Sequence, residues 1–437
     1  MAVVSEIPTE VLTEIFYLLC KNSINVCELD NSWCKETFPW AVGLVSRQWR
    51  TAFLSYPPIW ASLTLSDNTY ASPRMLNPNA YTESYAKEVN RRLALYLERS
   101  GEHPLRLDIC LWSVHPKAFA MMVLEMLSAC SHRWQTAKLD LFRDWPLDSI
   151  LPCKGKMPTL EWLEITSRAD CKHVRDIFEV APRLTHAYIE PWARSPGWIL
   201  PWSQLTELIL ILDGDSVIED GDVPYLLPML HNIKELRFRN YYEFCGFSKF
   251  APIPLNQLRV LEVYHPAMLS WFEAPSLCEI YFKDCQERSN YGEPLDVHGQ
   301  ISSLVQRSSC RIRKLSFASC REFYVGTLND VEELVIDYHR SQSVCPSIDI
   351  SSLPKLRLLT ILCAIEEDFE SLVNSLTTAL KSARVPTRSE CSSGTLTSLL
   401  ERVTVELYCD QEQPKIPKIL LKVADQWPVV AFRTRRS

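Results

Sequence analysis

The chain has 437 residues, 47% of them hydrophobic and 23% charged, with a formal net charge of −7 from 46 basic and 53 acidic side chains. This composition is typical of a folded protein and excludes a disordered or fibrous chain. The acidic balance disfavours nucleic-acid binding, because phosphate backbones attract basic surfaces. No apolar run approaches the roughly 18 residues of a membrane helix, and the first residues lack signal-peptide features. We therefore expect a cytoplasmic or nuclear protein without membrane contact.

Cysteine and glycine usage argues against metal and nucleotide chemistry. The 16 cysteines contain no Cys-x-x-Cys pair, and the regular run Cys20, Cys27 and Cys34 has no nearby histidine to complete a zinc site. We interpret the cysteines as buried thiols in a reducing compartment and expect no metal. With only 11 glycines, the chain lacks glycine-rich phosphate loops, so no cofactor is expected.

The first predicted element is a helix that begins near Pro8. Apolar residues recur at three-to-five-residue intervals, which places them along one helical stripe. A proline is tolerated in a first turn, where its missing amide hydrogen would be unpaired anyway. The stripe consists of Ile7, Val11, Leu12, Ile15, Phe16 and Leu19.

A second apolar stripe follows a polar stretch at 22–37 and is ended by Pro57 and Pro58, which remove backbone donors. Two such helices form a hairpin of about fifty residues, too small to bury its own apolar surface. On periodicity alone, a pair of helices that caps the following domain is an equally good interpretation. The second stripe consists of Ala41, Leu44, Val45, Trp49, Ala52 and Phe53.

Three short blocks in this region resemble the F-box pattern. They read IPTEVLTEIF at 7–16, LVSRQWR at 44–50 and PPIW at 57–60, in the order of that family. The chain departs from the family in having Ile7 where leucine is usual, and in the longer loop at 22–37. A longer surface loop costs little closure entropy.

The resemblance implies binding to a Skp-type adaptor, which in turn holds a cullin and its ubiquitin-transferring machinery. Apolar side chains at helical spacing are typical of a helix that binds in an apolar groove of its partner. By motif position, the residues that would contact the adaptor, or brace the surface that does, are Ile7, Pro8, Leu12, Ile15, Phe16, Val45 and Trp49.

Beyond a connector with Pro73 and Pro78, a helical pattern through 89–97 leads to an alternating strand pattern at 103–109. A phrase of the form apolar-x-x-apolar-x-apolar then recurs, with weaker copies at Thr136 and Leu184. The full copies start at Leu160, Leu205, Ile233, Leu258, Leu277, Ile312, Val331, Leu356 and Leu400. Helical patterns in 369–380 and 419–427 interrupt or follow them.

The phrase resembles the strand of leucine-rich repeats. We therefore predict an α/β protein: a helical F-box, then a curved leucine-rich-repeat-like solenoid with a parallel sheet. The predicted boundaries are 1–65 for the F-box, 66–104 for a connector and 105–437 for the repeat-like domain. The alternative is an ordinary α/β domain, although a doubly wound sheet more often has glycine-rich turns.

Alternation along each strand predicts which side chains point outward to a target protein. The candidate target-binding residues are Trp162, Ile209, Arg237, Arg239, Tyr264 and Tyr281. Mixed charge with aromatic residues suits protein recognition.

No catalytic motif is present, and the acidic run at 213–222 lacks the register of a calcium loop. The expected function is a non-catalytic substrate receptor of a Skp-cullin-F-box type ubiquitin ligase. The alternative is a ligase-independent interaction scaffold in which the helical hairpin caps the solenoid.

Overall fold

The computed structural model describes residues 7–20, 24–26, 42–66, 83–110, 117–141, 146–167, 173–191, 197–212, 225–240, 251–283, 296–318, 328–337, 350, 352–364, 369–383, 400–409 and 418–436. The chain divides into two compact units, Met1–Ile218 and Glu219–Ser437.

The first unit contains both the N-terminal helices and a parallel sheet. Its helices are α1 (Thr9–Cys20), α2 (Val42–Val45), α3 (Arg47–Ser55), α4 (Pro57–Trp60), α5 (Glu83–Arg99) and α6 (Lys117–Ala129). Its strands are β1 (Ile24–Asn25), β2 (Ser62–Ser66), β3 (Leu105–Cys110), β4 (Trp134–Leu141), β5 (Trp162–Ser167), β6 (His186–Pro191) and β7 (Glu207–Leu212). Short 3-10 helices at Ser131–Arg133, Leu147–Cys153 and Trp202–Gln204 precede strands.

Strands β1 to β7 pair in the order in which they occur along the chain, and every pairing is parallel. Parallel neighbours require a return segment that carries the chain back to the starting edge. Helix α6 is such a segment between β3 and β4, and 3-10 turns serve before β5 and β7.

Alternate residues of these strands are buried, which follows from the two-residue period of a strand. In β3, Leu107 and Ile109 are buried, whereas Asp108 between them is partly exposed. Strand β5 repeats the arrangement with Leu163 and Ile165. The apolar places of the sequence phrase therefore form the core side of the sheet, as predicted.

The N-terminal helices agree with prediction in outline and differ in detail. The second predicted helix is broken at Ser46, whose hydroxyl accepts a hydrogen bond from the backbone amide of Trp49 at 3.1 Å and so caps a new helix, α3. Helix α3 ends at Ser55 before the two prolines, as expected. Pro57 then starts the short helix α4, since its fixed φ suits a first turn.

Aromatic rings join these helices to each other and to α5. The ring of Phe16 lies 5.2 Å from Trp49 and 6.2 Å from Phe53, centroid to centroid. Phe53 lies 4.9 Å from Trp60, and Trp60 lies 5.4 Å from Tyr96 of α5. The indole nitrogen of Trp60 also donates to the Phe53 carbonyl at 3.2 Å. Trp60 is thus the contact between the N-terminal helices and the rest of this unit.

The end of α5 is closed by Gly101 and Arg133. Gly101 has φ +52°, a conformation that glycine adopts without strain, and its amide donates to the Glu98 carbonyl. The buried Arg133 guanidinium donates to the His103 carbonyl and, at 2.6 Å, to the Ser100 hydroxyl. These bonds satisfy polar groups between α5 and β3.

The described residues of the second unit form three helices and ten strands. Its helices are α7 (Val297–Ser308), α8 (Phe369–Ser382) and α9 (Lys418–Gln426). Its strands are β8 (Glu235–Asn240), β9 (Ile253–Pro254), β10 (Val260–Val263), β11 (Phe272–Glu273), β12 (Glu279–Phe282), β13 (Lys314–Ala318), β14 (Glu333–Asp337), β15 (Leu358–Ala364), β16 (Arg402–Cys409) and β17 (Val430–Arg436).

Strands β8, β10 and β12 to β17 form a parallel sheet in chain order, while β9 and β11 pair separately. Helix α7 begins at Asp296, whose carboxylate accepts from the Gly299 amide at 2.7 Å. Helices α8 and α9 coincide with the helical patterns of the sequence, and each precedes a strand. The protein is therefore a mixed α/β structure built on parallel sheet.

Every copy of the sequence phrase overlaps a strand, including the two weaker copies in β4 and β6, and each full copy starts two residues before its strand. Strands β1, β2, β9, β11 and β17 lie outside the predicted strands, because each is very short or lies next to a stronger helical or loop signal. The boundaries 1–65, 66–104 and 105–437 stay a prediction. None of the described helices combines the length and hydropathy needed to cross a membrane.

We expect Phe53→Ala to lower the free energy of unfolding by about 3–5 kcal/mol, because the change removes a fully buried ring that touches two other aromatic residues. A urea titration followed by tryptophan fluorescence measures the effect. Tyr225→Ala, at a position 74% exposed, is the control and is expected to change stability by less than about 0.5 kcal/mol. Equal effects of the two changes would contradict the packing described here.

Candidate functional site

Helix α1 presents apolar side chains to solvent as well as to the core. Leu12, Phe16 and Cys20 are buried, at intervals of four residues. Val11, Ile15, Leu18 and Leu19 are exposed, with Ile15 41% and Leu18 60% accessible. At roughly 100° per residue these two sets occupy adjoining arcs of the helix. Helix α1 is therefore more apolar than its own packing requires.

Helix α2 adds a second exposed apolar pair, Leu44 and Val45, and Val45 is 56% accessible. The Arg50 guanidinium donates to the Gly43 carbonyl at 2.8 Å and holds α2 against α3. Gln48 of α3 donates to the Ile7 carbonyl at 3.0 Å, which fixes the start of α1. Exposed apolar groups held by such contacts are typical of interaction surfaces. We call the exposed residues Val11, Ile15, Leu18, Leu19, Leu44 and Val45 the N-terminal apolar surface.

The residues predicted to serve adaptor binding fall into two groups. Ile15, Val45 and Pro8 are exposed and Ile7 is partly exposed, so their side chains are open to contact. Leu12 and Phe16 are fully buried within this chain, and Trp49 is half-buried against Phe16. The second group braces the helices. Leu18 and Leu44 are exposed residues that the motif did not single out; Leu44 belongs to the second apolar stripe of the sequence, whereas Leu18 was not assigned to the first.

In the second unit, a buried carboxylate organises the outward side of the sheet. Glu262 of β10 is only 1% accessible, and its two oxygens accept from Arg239 Nε at 3.0 Å and Arg237 Nη1 at 3.4 Å. Arg237 also pairs with Glu235 at 2.8 Å. A buried charge is stable only when it is paired and hydrogen-bonded in this way. Arg237 and Arg239 were predicted to contact a target. Part of the hydrogen-bonding capacity of each guanidinium group is therefore already used within the chain.

Tyr281 lies beside this network. The Arg237 guanidinium and the Lys314 ammonium each lie 5.9 Å from its ring centroid, a distance that allows cation–π attraction. Its hydroxyl donates to Glu279 at 2.8 Å. Burial, together with the Glu279 carboxylate, raises the pKa of Tyr281 to about 12. Lys314 of β13 in turn pairs with Glu333 of β14 at 2.7 Å, and the ring of Tyr281 on β12 lies between this ion pair and the one that joins β8 to β10.

Tyr264 is less accessible than the prediction requires. It is 8% accessible, and burial raises the pKa of its phenol. Strand β10 ends at Val263, and the 3-10 helix Pro266–Trp271 follows almost at once, so strand alternation no longer decides where Tyr264 points. Tyr264 is therefore mostly covered within the chain, and its outward orientation stays a prediction.

In the first unit, Trp162 and Ile209 are partly exposed on the outward side of the sheet. Trp162 is the register partner of His186, and Ile209 is that of Tyr188. These two predicted residues belong to the first unit, whereas Arg237, Arg239 and Tyr281 belong to the second.

Burial raises the pKa of six of the described cysteine thiols. Burial raises the pKa of Cys20 to about 11 and, together with Asp140, that of Cys110 to about 12. Burial also raises the pKa values of Cys130, Cys153, Cys278 and Cys310. Nucleophilic chemistry requires the thiolate, which these sites disfavour.

Other candidate sites are small or lie outside the described residues. A cleft of about 20 Å³ lies between Tyr17, Pro58 and Arg106, with room for about one water molecule. Within the described ranges, no group of three or more histidine, cysteine, aspartate or glutamate residues could hold a metal ion. The acidic run at 213–222, and Cys27 and Cys34, lie outside those ranges.

No protein-family model matches this chain, and a search of curated proteins finds no similar sequence. The resemblance to the F-box pattern therefore depends on the residues of 7–60 themselves.

We expect Glu262→Ala to lower the free energy of unfolding of the second unit by about 2 kcal/mol, because two partly buried guanidinium groups lose their shared acceptor. Glu333→Ala breaks the more exposed Lys314 pair and is expected to cost less than about 1 kcal/mol. Chemical denaturation of both variants is the measurement. A larger loss at Glu333 than at Glu262 would contradict the central place of Glu262 in the network.

Proposed function

We propose that the chain is a non-catalytic substrate receptor of a Skp-cullin-F-box type ubiquitin ligase, active in the cytoplasm or nucleus. In this proposal the N-terminal apolar surface binds a Skp-type adaptor, which links the chain to a cullin. The outward side of the sheet binds a target protein. The main support for this proposal is that α1 and α2 expose six large apolar side chains within the part of the chain that resembles an F-box.

The energetics support this use of the surface. Burying apolar area contributes roughly 25 cal/mol per Å² removed from water, so side chains that stay exposed represent association energy that folding does not use. The N-terminal helices are also internally braced by the Phe16, Trp49 and Phe53 rings. A braced apolar helix surface loses little conformational entropy when a partner covers it.

The repeat-like interpretation of the remaining chain belongs to the same proposal. Two observations support it. Successive strands pair in chain order, and one sequence phrase recurs in them with its apolar positions buried each time. A stack of such units, in which each strand covers the next, is the architecture of a solenoid. An extended row of outward side chains is then available to a target.

The alternative is a ligase-independent scaffold in which the N-terminal helices cap the sheet. One observation favours it: Trp60 of α4 is fully buried and packs against Tyr96, and β2 follows α4 after one residue. The capping role and adaptor binding use different sides of α1, however. The exposed arc of α1 is what separates the two functions, because a cap alone does not need it.

The test is a pull-down with a purified Skp-type adaptor, comparing the wild type with Ile15→Asp/Val45→Asp. We expect the variant to lose at least about tenfold in recovery, because two charges would have to be buried in an apolar interface. Leu12→Asp and Phe16→Asp are unsuitable, since both residues are fully buried and the changes would unfold the helices.

Val180→Asp/Leu421→Asp is the matched control. These residues have similar exposure, 54% and 44%, but lie outside the N-terminal helices. The control is expected to bind the adaptor like the wild type, and circular dichroism establishes that both variants fold. Equal recovery of the wild type and Ile15→Asp/Val45→Asp would reject adaptor binding and favour the scaffold.

A further inference from the structure

A small cleft lies where the N-terminal helices of the first unit meet its sheet. Its walls come from α1, from α4 and the start of β2, and from the segment that leads into β3. Its volume of about 20 Å³ holds one oxygen-sized atom, and the cleft is partly open to solvent. We call it the α1–β3 cleft. Its lining residues are Tyr17, Cys20, Pro58, Ala61, Ser62, His103, Pro104 and Arg106.

Strand pairing places Ser62 and Arg106 next to each other in this cleft. The two residues are register partners in the parallel pairing of β2 with β3, and the Arg106 amide donates to the Ala61 carbonyl at 2.8 Å. Register partners point to the same side of a sheet, on strands about 4.8 Å apart. Because the next residues, Leu63 and Leu107, are buried, Ser62 and Arg106 both lie on the outward side.

Four side chains of the lining carry hydrogen-bond donors: the hydroxyls of Tyr17 and Ser62, the imidazole of His103 and the guanidinium group of Arg106. Across the residues that the structure describes, none of these four side chains forms a hydrogen bond or an ion pair. A guanidinium group alone offers five N–H donors in a fork that matches the oxygens of an anion. The α1–β3 cleft therefore brings together more donors than the surrounding chain uses.

The charged groups that act on His103 are both positive. Burial, and then the guanidinium groups of Arg106 and Arg133, lower the pKa of His103. Asp108 lies two residues beyond Arg106 on the same side of β3, yet the described contacts include no ion pair between them. A site where cations oppose the protonation of a histidine has a positive potential, which favours a bound anion.

The positions of the donors favour a phosphate group over a carboxylate. Tyr17 belongs to α1, Ser62 to β2 and Arg106 to β3, so the donors come from three separate elements. A carboxylate has two oxygens in one plane, whereas a phosphate group has at least three acceptor oxygens arranged as a tetrahedron. One oxygen of a phosphate group fits the volume of the cleft, and the others remain near its mouth.

We propose that the α1–β3 cleft binds the phosphate group of a small molecule, either free phosphate or a phosphomonoester. Arg106 supplies a charged fork, His103 a ring nitrogen, and Ser62 and Tyr17 supply hydroxyl donors. A phosphate group held in this way joins α1 to β3. This inference goes beyond the proposed function, and it does not depend on binding of an adaptor or of a target protein.

The test is isothermal titration calorimetry of the full chain with inorganic phosphate at pH 7, with sodium chloride used to keep the ionic strength constant. The test variant is His103→Gln/Arg106→Gln, at two exposed positions where the change leaves the backbone contacts in place. We expect its affinity for phosphate to fall at least about tenfold relative to the wild type, because the charge-assisted hydrogen bonds are lost. In the wild type, phosphate is also expected to shift the imidazole proton signal of His103 in NMR spectra.

The matched control is His173→Gln/Arg175→Gln, which changes an exposed histidine and an exposed arginine of the same unit. It removes the same charge away from the cleft and is expected to bind phosphate within about twofold of the wild type. Equal weakening by both double variants would overturn the inference, because the attraction would then come from overall charge. Failure of the wild type to bind phosphate, or binding that leaves the His103 signal unchanged, would also overturn it.

Tyr17→Phe/Ser62→Ala tests the hydroxyl donors without a change of charge. This variant is expected to lose affinity for phosphate by about fivefold and to lose less for acetate, because a planar carboxylate engages fewer of the donors. The wild type is expected to bind phosphate at least about tenfold more tightly than acetate. Equal affinities of the wild type for phosphate and acetate would reject the phosphate assignment.

Titration with glycerol 1-phosphate separates the two sources of the phosphate group. Tighter binding of this ester than of inorganic phosphate supports the site with a phosphomonoester as its ligand. Equal or weaker binding of the ester supports the site with free phosphate as its ligand. A phosphoserine peptide that binds at least about tenfold more tightly than both would assign the cleft to a partner protein and overturn the small-molecule proposal.

Discussion

One-sided burial of parallel strands is the constraint on which both units depend. Each strand places alternate side chains on the core side, where residues such as Leu163 and Leu315 are fully buried. A single strand cannot remove that row from water, so it is stable only beside neighbours that share the same pattern. Pairing in chain order satisfies this need with the shortest return segments. It also leaves the second face of every strand available for other groups.

Packing between aromatic rings decides how the N-terminal helices are fixed. Trp60 is fully buried between Phe53 and Tyr96, and it carries the contact from α3 to α5. Aromatic pairs contribute about 0.5–1.5 kcal/mol beyond the area they bury, and their preferred geometries restrict how helices approach. With the core side of α1 committed to Phe16 and Leu12, its remaining apolar arc is held outward. The same packing therefore stabilises the helices and presents the N-terminal apolar surface.

The charged side chains on the outward sides of the two sheets are paired in different ways. In the second unit, Glu262 is buried beneath Arg237 and Arg239, so these three groups depend on one another. In the first unit, Lys138 of β4 pairs with Glu164 of the neighbouring β5 at 3.2 Å. The difference comes from the side chains that alternate away from the core.

The sequence by itself determined the helices, the strand positions and the side of each strand that is buried, because those depend on local periodicity of apolar residues. It predicted α1, α5, α8, α9 and every strand that contains the recurring phrase. It missed the break at Ser46, where a side-chain cap outweighs the apolar stripe. It also missed helices α4, α6 and α7. Strands β1, β2, β9, β11 and β17 were missed as well, because they are short or lie beside stronger signals and form by pairing with other strands.

Only the tertiary structure decided which predicted site residues are accessible. Leu12 and Ile15 lie on the same sequence stripe, yet one is buried by Phe16 and its neighbours while the other remains exposed. Tyr264 was predicted to be open to a target, yet it is 8% accessible. Glu262 acquires its arginine partners from an adjacent strand more than twenty residues away. Periodicity describes one segment at a time, whereas accessibility and charge compensation depend on which segments meet.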